Sequence, residues 1–217
     1  MSTAKRRLIF FGDSICVGQG VSIHKGWVTR LAARIDDLGR GRGADVVVVN
    51  ASVNGNTTRQ ALERMPYEVQ SHGVDYIIVQ FGMNDCNHWQ TDGGLPRVSL
   101  AAFAANLDEI LERAFRFGAR WAILNTNHPT TRTAAMPGTR LTYEESNRAY
   151  NRAIREVAGR RKERVELNDV ERHVLSRVEK GELRTEDLVL EDGLHLSERG
   201  HDVYYSLLEP LVGRLLA

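Results

Sequence analysis

Residues 7–14 have the sequence Arg7-Leu-Ile-Phe-Phe-Gly-Asp-Ser14, a short apolar run that ends in glycine, aspartate and serine. Apolar runs of similar length recur along the chain. Including the first, the predicted strands lie at 7–11, 45–49, 76–81, 120–125 and 164–167. The second and third are nearly continuous in valine, isoleucine and similar residues, which is typical of strands covered on both faces.

Helical patterns occupy the intervals between these runs. The predicted helices lie at 27–38, 58–71, 100–117, 143–160 and 198–216. A capping box at Thr57 and Gln60 marks the start of the second helix, because both side chains can satisfy its first backbone N–H groups. Pro66 is expected to kink or end that helix. The glycine-rich segment 39–43 is expected to form a turn.

The alternation of strands and helices predicts an α/β fold in which helices cover both faces of a parallel sheet. In such a sheet, ligands bind beyond the carboxyl ends of the strands. Functional residues are therefore expected directly after the strands. No repeat or low-complexity linker divides the chain, so one domain is predicted over 1–217.

Composition excludes several classes of protein. The chain has 217 residues and a net charge of +1, which provides no basic surface for nucleic acid. Its two cysteines do not form a disulfide framework, and we expect a cytoplasmic location. The apolar run after Lys5-Arg6-Arg7 is too short for a signal peptide, and no run is long enough to insert into a membrane.

Polar motifs follow the predicted strands and provide the groups that acyl transfer requires. Ser14 follows the first strand and could attack a carbonyl carbon, with His195 as general base and Asp192 orienting the imidazole. Gly55 and Asn84 follow the second and third strands. The backbone N–H groups of Ser14 and Gly55 and the side-chain amide of Asn84 could together form an oxyanion hole.

These motifs resemble the four sequence blocks of the SGNH hydrolases, also called GDSL esterases and lipases. The matching segments are 12–14, 54–56, 82–85 and 192–195. The resemblance implies a flavodoxin-like three-layer α/β/α sandwich around a five-stranded parallel sheet. It also implies that Ser14 is the nucleophile. Ile15 stands where the family name has leucine, a small departure because both side chains are apolar and similar in size.

By position, the resemblance carries the remaining family roles onto this chain. It implies that His195 is the base and Asp192 its partner, and that Ser14, Gly55 and Asn84 form the oxyanion hole. No cofactor is implied. The Gly-x-Ser-x-Gly motif of ordinary α/β-hydrolases is absent, because Cys16 follows Ile15.

Two long connections, roughly 83–98 and 126–141, follow the third and fourth predicted strands. Their length is unusual for such units, and long loops on the ligand side of a sheet are often functional. Trp89, Asn127 and His128 are therefore candidate substrate-binding residues. Packing within the loops is the alternative role for all three.

Other polar residues near the motifs are expected to have structural roles. Asp13 and Asp85 are predicted to hold loops together through hydrogen bonds, with a direct catalytic role as the alternative. Arg97 and Arg132 are predicted to be solvated on the surface, with contact to an anionic substrate as the alternative. The histidines lack metal-binding spacing, so no metal site is predicted.

The two cysteines adjoin the first and third motifs. Cys16 and Cys86 are predicted to be buried, inert thiols. A redox-sensitive pair is the alternative.

The sequence thus predicts a cofactor-independent serine esterase that acts on small molecules, with short-chain esters such as acetylated sugars favoured by the polar loops. A lysophospholipase or acyl-thioesterase is the alternative within the class. An acyltransferase that uses the same acyl-enzyme and a non-catalytic flavodoxin-like binding module are two further hypotheses.

Overall fold

The fold is built on one parallel sheet. The computed structural model describes residues 5–41 and 45–216. Its strands are β1 (Arg6–Gly12), β2 (Val46–Asn50), β3 (Tyr76–Gln80), β4 (Trp121–Asn125) and β5 (Val165–Asn168). They are arranged in the order β2-β1-β3-β4-β5, and every neighbouring pair is parallel. The predicted five-stranded flavodoxin-like sheet is confirmed.

Helices cover both faces of this sheet. They are α1 (Ser14–Val17), α2 (Trp27–Gly41), α3 (Thr58–Glu68), α4 (Leu100–Arg116), α5 (Tyr143–Arg160), α6 (Val170–Glu179), α7 (Thr185–Leu188) and α8 (Glu198–Leu215). Helix α2 packs against α8, while α4 packs against both α3 and α5. The crossover from β1 to β2 and the crossover from β3 to β4 run in opposite directions across the sheet. Because both are right-handed, α2 and α8 lie on one face of the sheet, and α3, α4 and α5 lie on the other.

Several predicted boundaries differ from the structure. Helix α2 continues to Gly41, so a turn starting at residue 39 is wrong, and residues 42 and 43 lie outside the described residues. Helix α3 accommodates Pro66 and ends two residues later, at Glu68. Helices α1, α6 and α7 were not predicted. For α6, the apolar residues Val170, Val174 and Val178 at four-residue spacing are a helical signal that was present in the sequence.

The strand order determines where a site can form. The chain leaves β1 toward β2 on one side, and β3 then pairs with the opposite side of β1. At this switch point the two connections diverge, which leaves a crevice at the carboxyl ends of β1 and β3. Ser14 lies two residues beyond β1, and Asn84 lies four residues beyond β3.

Aromatic packing ties the C-terminal helix to the start of the chain. The buried Trp27 ring stacks on Tyr204 of α8 with a centroid separation of 5.6 Å and meets Phe10 of β1 edge-on at 5.5 Å. Its indole N–H donates to the carbonyl of Ile15 at 2.9 Å, and its backbone N–H donates to Nδ1 of His201 at 3.2 Å. One side chain therefore connects β1, α1, α2 and α8.

One hydrophobic cluster accounts for the buried apolar residues of the described chain. A single domain over 1–217 stays a prediction, because the terminal residues lie outside the described part. In the part of the chain that the structure describes, no helix combines the length and apolar character needed to cross a lipid bilayer.

We expect Trp27→Phe to lower the free energy of unfolding by about 1–3 kcal/mol, since the buried Ile15 carbonyl loses its donor. Trp27→Ala should cost about 3–5 kcal/mol, because a cavity also forms between β1 and α8. Urea denaturation measures both. The control is Tyr67→Phe at a side chain that is 78% exposed, for which we expect less than about 0.5 kcal/mol. Equal effects of Trp27→Phe and the control would contradict the connecting role.

Candidate active site

Ser14 lies at the first position of α1, two residues after the end of β1. Asp13 is the N-cap of this short helix, and its carboxylate accepts a hydrogen bond from the Ile15 N–H at 3.0 Å. The Ser14 side chain points to His195, with 2.9 Å between Oγ and Nε2. A serine hydroxyl is a weak nucleophile unless a neighbouring base can take its proton, and this contact provides such a base.

Asp192 holds the other side of the His195 ring. Its Oδ2 lies 2.5 Å from Nδ1 of His195, while its Oδ1 accepts the backbone N–H groups of Leu194 and His195, both at 2.9 Å. Partial burial raises the pKa of Asp192, but these hydrogen bonds outweigh burial and leave the pKa below its ordinary value. The ionised carboxylate accepts from Nδ1–H, which leaves Nε2 free to accept the Ser14 proton.

The long loop after β4 supports the loop that carries Asp192 and His195. Three consecutive carbonyls, those of residues 192–194, accept hydrogen bonds from Nε of Arg132 at 2.8 Å, the backbone N–H of Thr131 at 3.1 Å and Nε2 of His128 at 2.8 Å. Burial lowers the pKa of His128 to about 4, so its ring is neutral at pH 7. Because Nε2 is the donor, Nδ1 accepts the Tyr204 hydroxyl at 3.1 Å.

The predicted oxyanion hole consists of two backbone donors and one side-chain donor. The N–H groups of Ser14 and Gly55 have no acceptor within the described residues. Gly55 lies in a turn closed by a 3.2 Å hydrogen bond from the Asn56 N–H to the Val53 carbonyl, and its φ of 74° favours glycine. The Asn84 amide donates to the Asn56 carbonyl at 3.1 Å. Together these groups occupy the loops expected to form an oxyanion hole.

Asp13 and Asp85 hold these loops together, as predicted. Asp13 also accepts the Asn84 amide at 3.3 Å, and Asp85 Oδ1 accepts both the backbone N–H and the hydroxyl of Thr58. Both carboxyls are buried. Burial, aided by the charge of Asp85, raises the pKa of Asp13 to about 7, and burial raises the pKa of Asp85 to about 6.

Two of the three candidate substrate-binding residues lie in the interior. Asn127 and His128 are buried. The Asn127 side chain accepts from Nε2 of Gln80 at 2.7 Å, and its backbone pairs with the Asn151 amide at 2.7 and 3.0 Å. Burial of both side chains favours the packing role, although Asn127 Nδ2 has no hydrogen-bond partner within the described residues, and direct substrate contact by Asn127 and His128 stays a prediction. Trp89 is 49% exposed.

Sequence reasoning missed the roles of two arginines. Arg132 was expected to be solvated, yet its Nε bonds the Asp192 carbonyl. Arg97 had the same expectation, yet its Nη1 donates to the Gly55 carbonyl at 3.1 Å. Both arginines donate to backbone carbonyls, and every residue type has a backbone carbonyl, so the sequence does not show which one is the partner. The one signal in the sequence was that Arg97 and Arg132 lie in long loops that follow strands.

Cys16 and Cys86 are free and buried, as predicted. Burial raises the pKa of both thiols well above the usual range, so both remain protonated at neutral pH. Within residues 5–41 and 45–216, no three His, Cys, Asp or Glu side chains cluster closely enough to hold a metal ion.

An open cleft of about 420 Å³ lies beside His195. Its lining residues are Gln19, Gly20, Leu190, Glu191, Asp192 and His195. Apart from the leucine and the glycine, these residues carry hydrogen-bonding side chains, and two of them are carboxylates. The two carboxylates make the cleft acidic beside the imidazole, although carbon atoms form most of its surface.

The buried position of Asp13 predicts a specific pH dependence of stability. The pKa of the Asp13 carboxyl is higher in the folded protein than in the unfolded chain. The contribution of this carboxyl to the free energy of unfolding is therefore fully present below about pH 4 and is lost as the pH rises toward 7. Asp13→Asn cannot ionise. We expect the free energy of unfolding of Asp13→Asn, measured relative to that of wild type, to increase by about 2–4 kcal/mol as the pH rises from about 4 to 8.

Urea denaturation across this pH range measures the effect, with the exposed Asp36→Asn as a control. A constant difference between Asp13→Asn and wild type would show that Asp13 does not favour its protonated form in the fold.

Comparison with known proteins identifies the family of this chain. Residues 10–203 match the model of the GDSL-like Lipase/Acylhydrolase family. The chain therefore belongs to this family, and the resemblance seen in its four sequence blocks is confirmed. A Ser-His-Asp triad and an oxyanion hole are typical of the family.

Curated relatives match over part of their length. The chain is 30% identical over 126 residues to Esterase TesA of Pseudomonas aeruginosa, covering 58% of this chain and 57% of the relative. It is 29% identical over 114 residues to an Escherichia coli protein named thioesterase 1/protease 1/lysophospholipase L1, covering 51% of each. An arylesterase of Vibrio mimicus is 33% identical over 84 residues, which cover 39% of this chain and 40% of the relative. The matches thus span about half the length of these relatives.

Solved structures match over nearly the whole chain. An acetylxylan esterase from Geobacillus stearothermophilus superimposes with a TM-score of 0.75 at 20% identity, covering 97% of this chain and 95% of the other. A lipase/acylhydrolase from Enterococcus faecalis gives a TM-score of 0.69 at 23% identity, covering 96% and 95%. At these identities, the similarity bears on the fold.

Proposed function

We propose that the protein is a cofactor-independent serine esterase that hydrolyses carboxylic esters through an acyl-enzyme at Ser14. The observation that carries this proposal is the continuous hydrogen-bonded chain from Ser14 Oγ through the His195 ring to Asp192. Membership of the GDSL-like family supports it.

The first half of the reaction joins the acyl group to the serine. As Ser14 Oγ attacks the ester carbonyl, His195 Nε2 takes the hydroxyl proton, and the ionised Asp192 stabilises the imidazolium. The tetrahedral oxyanion accepts hydrogen bonds from the N–H groups of Ser14 and Gly55 and from the Asn84 amide. His195 then protonates the departing alkoxide, and the C–O bond to the alcohol breaks.

The second half returns the enzyme to its starting state. His195 takes a proton from water as the water oxygen attacks the acyl carbon. The bond between the acyl carbon and Ser14 Oγ then breaks, His195 returns the proton to Ser14 Oγ, and the carboxylic acid leaves. The Asn84 amide is held by two acceptors before reaction, and the longer bond, 3.3 Å to Asp13, is the one we expect the oxyanion to replace. Each oxyanion donor is worth roughly 10²–10³ in turnover.

We place the alcohol part of the ester in the cleft beside His195. Because His195 protonates the leaving group, the alcohol lies on the imidazole side of Ser14, where Gln19 and Glu191 line the cleft. Such side chains suit the hydroxyl groups of a sugar, and the carboxylates disfavour an anionic leaving group. We therefore propose short-chain, for example acetyl, esters of small or carbohydrate alcohols. A solved structure with this fold is that of an acetylxylan esterase.

Lysophospholipase and acyl-thioesterase activities remain the alternatives, and one relative carries both names. An acyltransferase would use the same acyl-enzyme and would transfer the acyl group to an added alcohol in preference to water. Product analysis with an alcohol acceptor separates it from a hydrolase. The cytoplasmic location remains a prediction.

Ser14→Ala should abolish ester hydrolysis, with turnover falling by about 10⁴-fold or more because the covalent route is lost. A fluorophosphonate probe should label wild type at Ser14 and leave the variant unlabelled. Ser176→Ala, on the remote helix α6, is the matched control and should retain activity. Full turnover by Ser14→Ala on every active ester would eliminate the mechanism.

The negative charge of the cleft should make the enzyme prefer esters of neutral alcohols to esters with anionic leaving groups. Glu191→Lys should raise kcat/KM for an acetyl ester with an anionic leaving group by about fivefold to tenfold relative to a neutral acetylated sugar, as expected for reversing one exposed charge at short range. Added salt should reduce the difference. Glu191→Gln should give an intermediate ratio, and a ratio unchanged in both variants would place the alcohol elsewhere.

A further inference from the structure

Arg97 links the turn that carries Gly55 to the long loop after β3. Its Nη1 donates to the Gly55 carbonyl at 3.1 Å, a contact across 42 residues of chain. Its guanidinium lies over the Trp89 ring, 4.0 Å from the ring centroid. Its backbone N–H donates to the Asn87 carbonyl at 2.9 Å. Three contacts therefore fix Arg97: its backbone N–H bonds Asn87, the plane of its guanidinium stacks on Trp89, and its Nη1 bonds Gly55.

Gly55 itself has few contacts, although its neighbours are held: the Val53 N–H donates to the Gly12 carbonyl at 3.1 Å, and the Asn56 side chain accepts from Arg64 Nε at 2.7 Å. Gly55 is exposed, and no heavy atom from outside its immediate neighbours lies within 4 Å of the place where a Cβ would be. Glycine has the widest choice of backbone angles, so Gly55 is the residue of this turn whose peptide groups reorient most easily. Such motion would carry the Gly55 N–H away from the oxyanion, because a backbone donor acts only when its direction is fixed before the reaction.

On these grounds, and resting on the proposed esterase function, we propose that Arg97 is a positioning residue for the oxyanion hole and that Trp89 holds Arg97 in place. Arg97 acts through the Gly55 carbonyl and does not contact the substrate.

The chemistry of the side chain explains why arginine suits this position. A guanidinium is planar, so it can stack on an indole ring while an N–H at its edge donates to a carbonyl. A lysine ammonium carries the same charge but cannot stack and donate in one fixed geometry. The positive charge close to the Gly55 peptide also favours the negative charge that develops in the transition state.

This arrangement changes the role expected for Trp89. One face of its ring is covered by Arg97, so stacking of a sugar on that face is excluded. If Trp89 acts through Arg97, its loss slows the reaction of every ester alike. If it binds a sugar directly, its loss raises KM for sugar esters and leaves a simple aryl acetate unaffected.

The test compares Arg97→Ala, Arg97→Lys, Trp89→Ala and the double variant on an acetylated sugar and on p-nitrophenyl acetate. We expect Arg97→Ala to lower kcat by about 10–100-fold on both esters, with KM changed by less than about threefold. Arg97→Lys should recover part of this loss. Trp89→Ala should lower kcat on both esters, and the double variant should be no slower than Arg97→Ala by more than about twofold.

Arg116→Ala and Phe117→Ala are the controls. Arg116 is an exposed arginine paired with Glu112, and Phe117 is 47% exposed, which matches Trp89. Both should retain wild-type kcat. The proposal fails if Arg97→Ala stays within about twofold of Arg116→Ala, if its effect lies in KM alone, or if the losses from Trp89→Ala and Arg97→Ala multiply in the double variant. If Arg97→Ala does not fold, Arg97→Lys is judged by the same kcat criterion.

Fluorophosphonate labelling separates this inference from the proposed function. Slower labelling of Ser14 in Arg97→Ala, together with no labelling of Ser14→Ala, supports both. Wild-type kcat and labelling rates in Arg97→Ala would overturn the positioning role and leave the esterase function intact, whereas full activity of Ser14→Ala would overturn the function itself.

Discussion

The 2.9 Å contact between Ser14 Oγ and His195 Nε2 joins residues 181 positions apart in the chain, and the function proposed for this protein depends on it. Local structure cannot create such a contact. Ser14 is placed by β1, an interior strand of the sheet, whereas His195 lies just before α8 near the other end of the chain. The two meet because α8 packs on α2, where Trp27 stacks on Tyr204 and donates to the Ile15 carbonyl beside the nucleophile.

Each half of the candidate site has its own support from a long loop. The loop after β4 donates to three successive carbonyls of the segment that holds Asp192 and His195, from Arg132, Thr131 and His128. The loop after β3 supports the Gly55 turn through Arg97. Both loops are longer than a connection requires, and the hydrogen bonds they make to backbone carbonyls give a physical reason for their length. Donors held in this way need no reorganisation when charge develops.

The loops that carry Ser14 and Asn84 contain two buried carboxyl groups, and burying them lowers the stability of the fold. Two carboxyls, Asp13 and Asp85, are buried close enough for the charge of one to raise the pKa of the other. Burying such groups costs stability unless they are neutral or hydrogen-bonded. Both accept backbone N–H groups, and Asp13 also receives the Asn84 amide. The same bonds that limit this cost fix the loops that carry Ser14 and Asn84, so stability and site geometry are linked here.

Periodicity and motif spacing were enough to predict the five strands, the helices that cover them and the residues at the strand ends, because apolar patterning and turn chemistry act over a few residues. This is why Ser14, Asn84, Asp192 and His195 could be named from the sequence. Helix boundaries were less certain, as α2 and α3 show, since packing of the whole domain decides where a helix ends. The interior location of Asn127 and His128 and the contacts of Arg97 and Arg132 were decided only by the tertiary structure. A loop residue that follows a strand can face either the cleft or the core, and sequence does not distinguish the two. Every residue has a backbone carbonyl, so the sequence also does not show which carbonyl accepts a side-chain hydrogen bond.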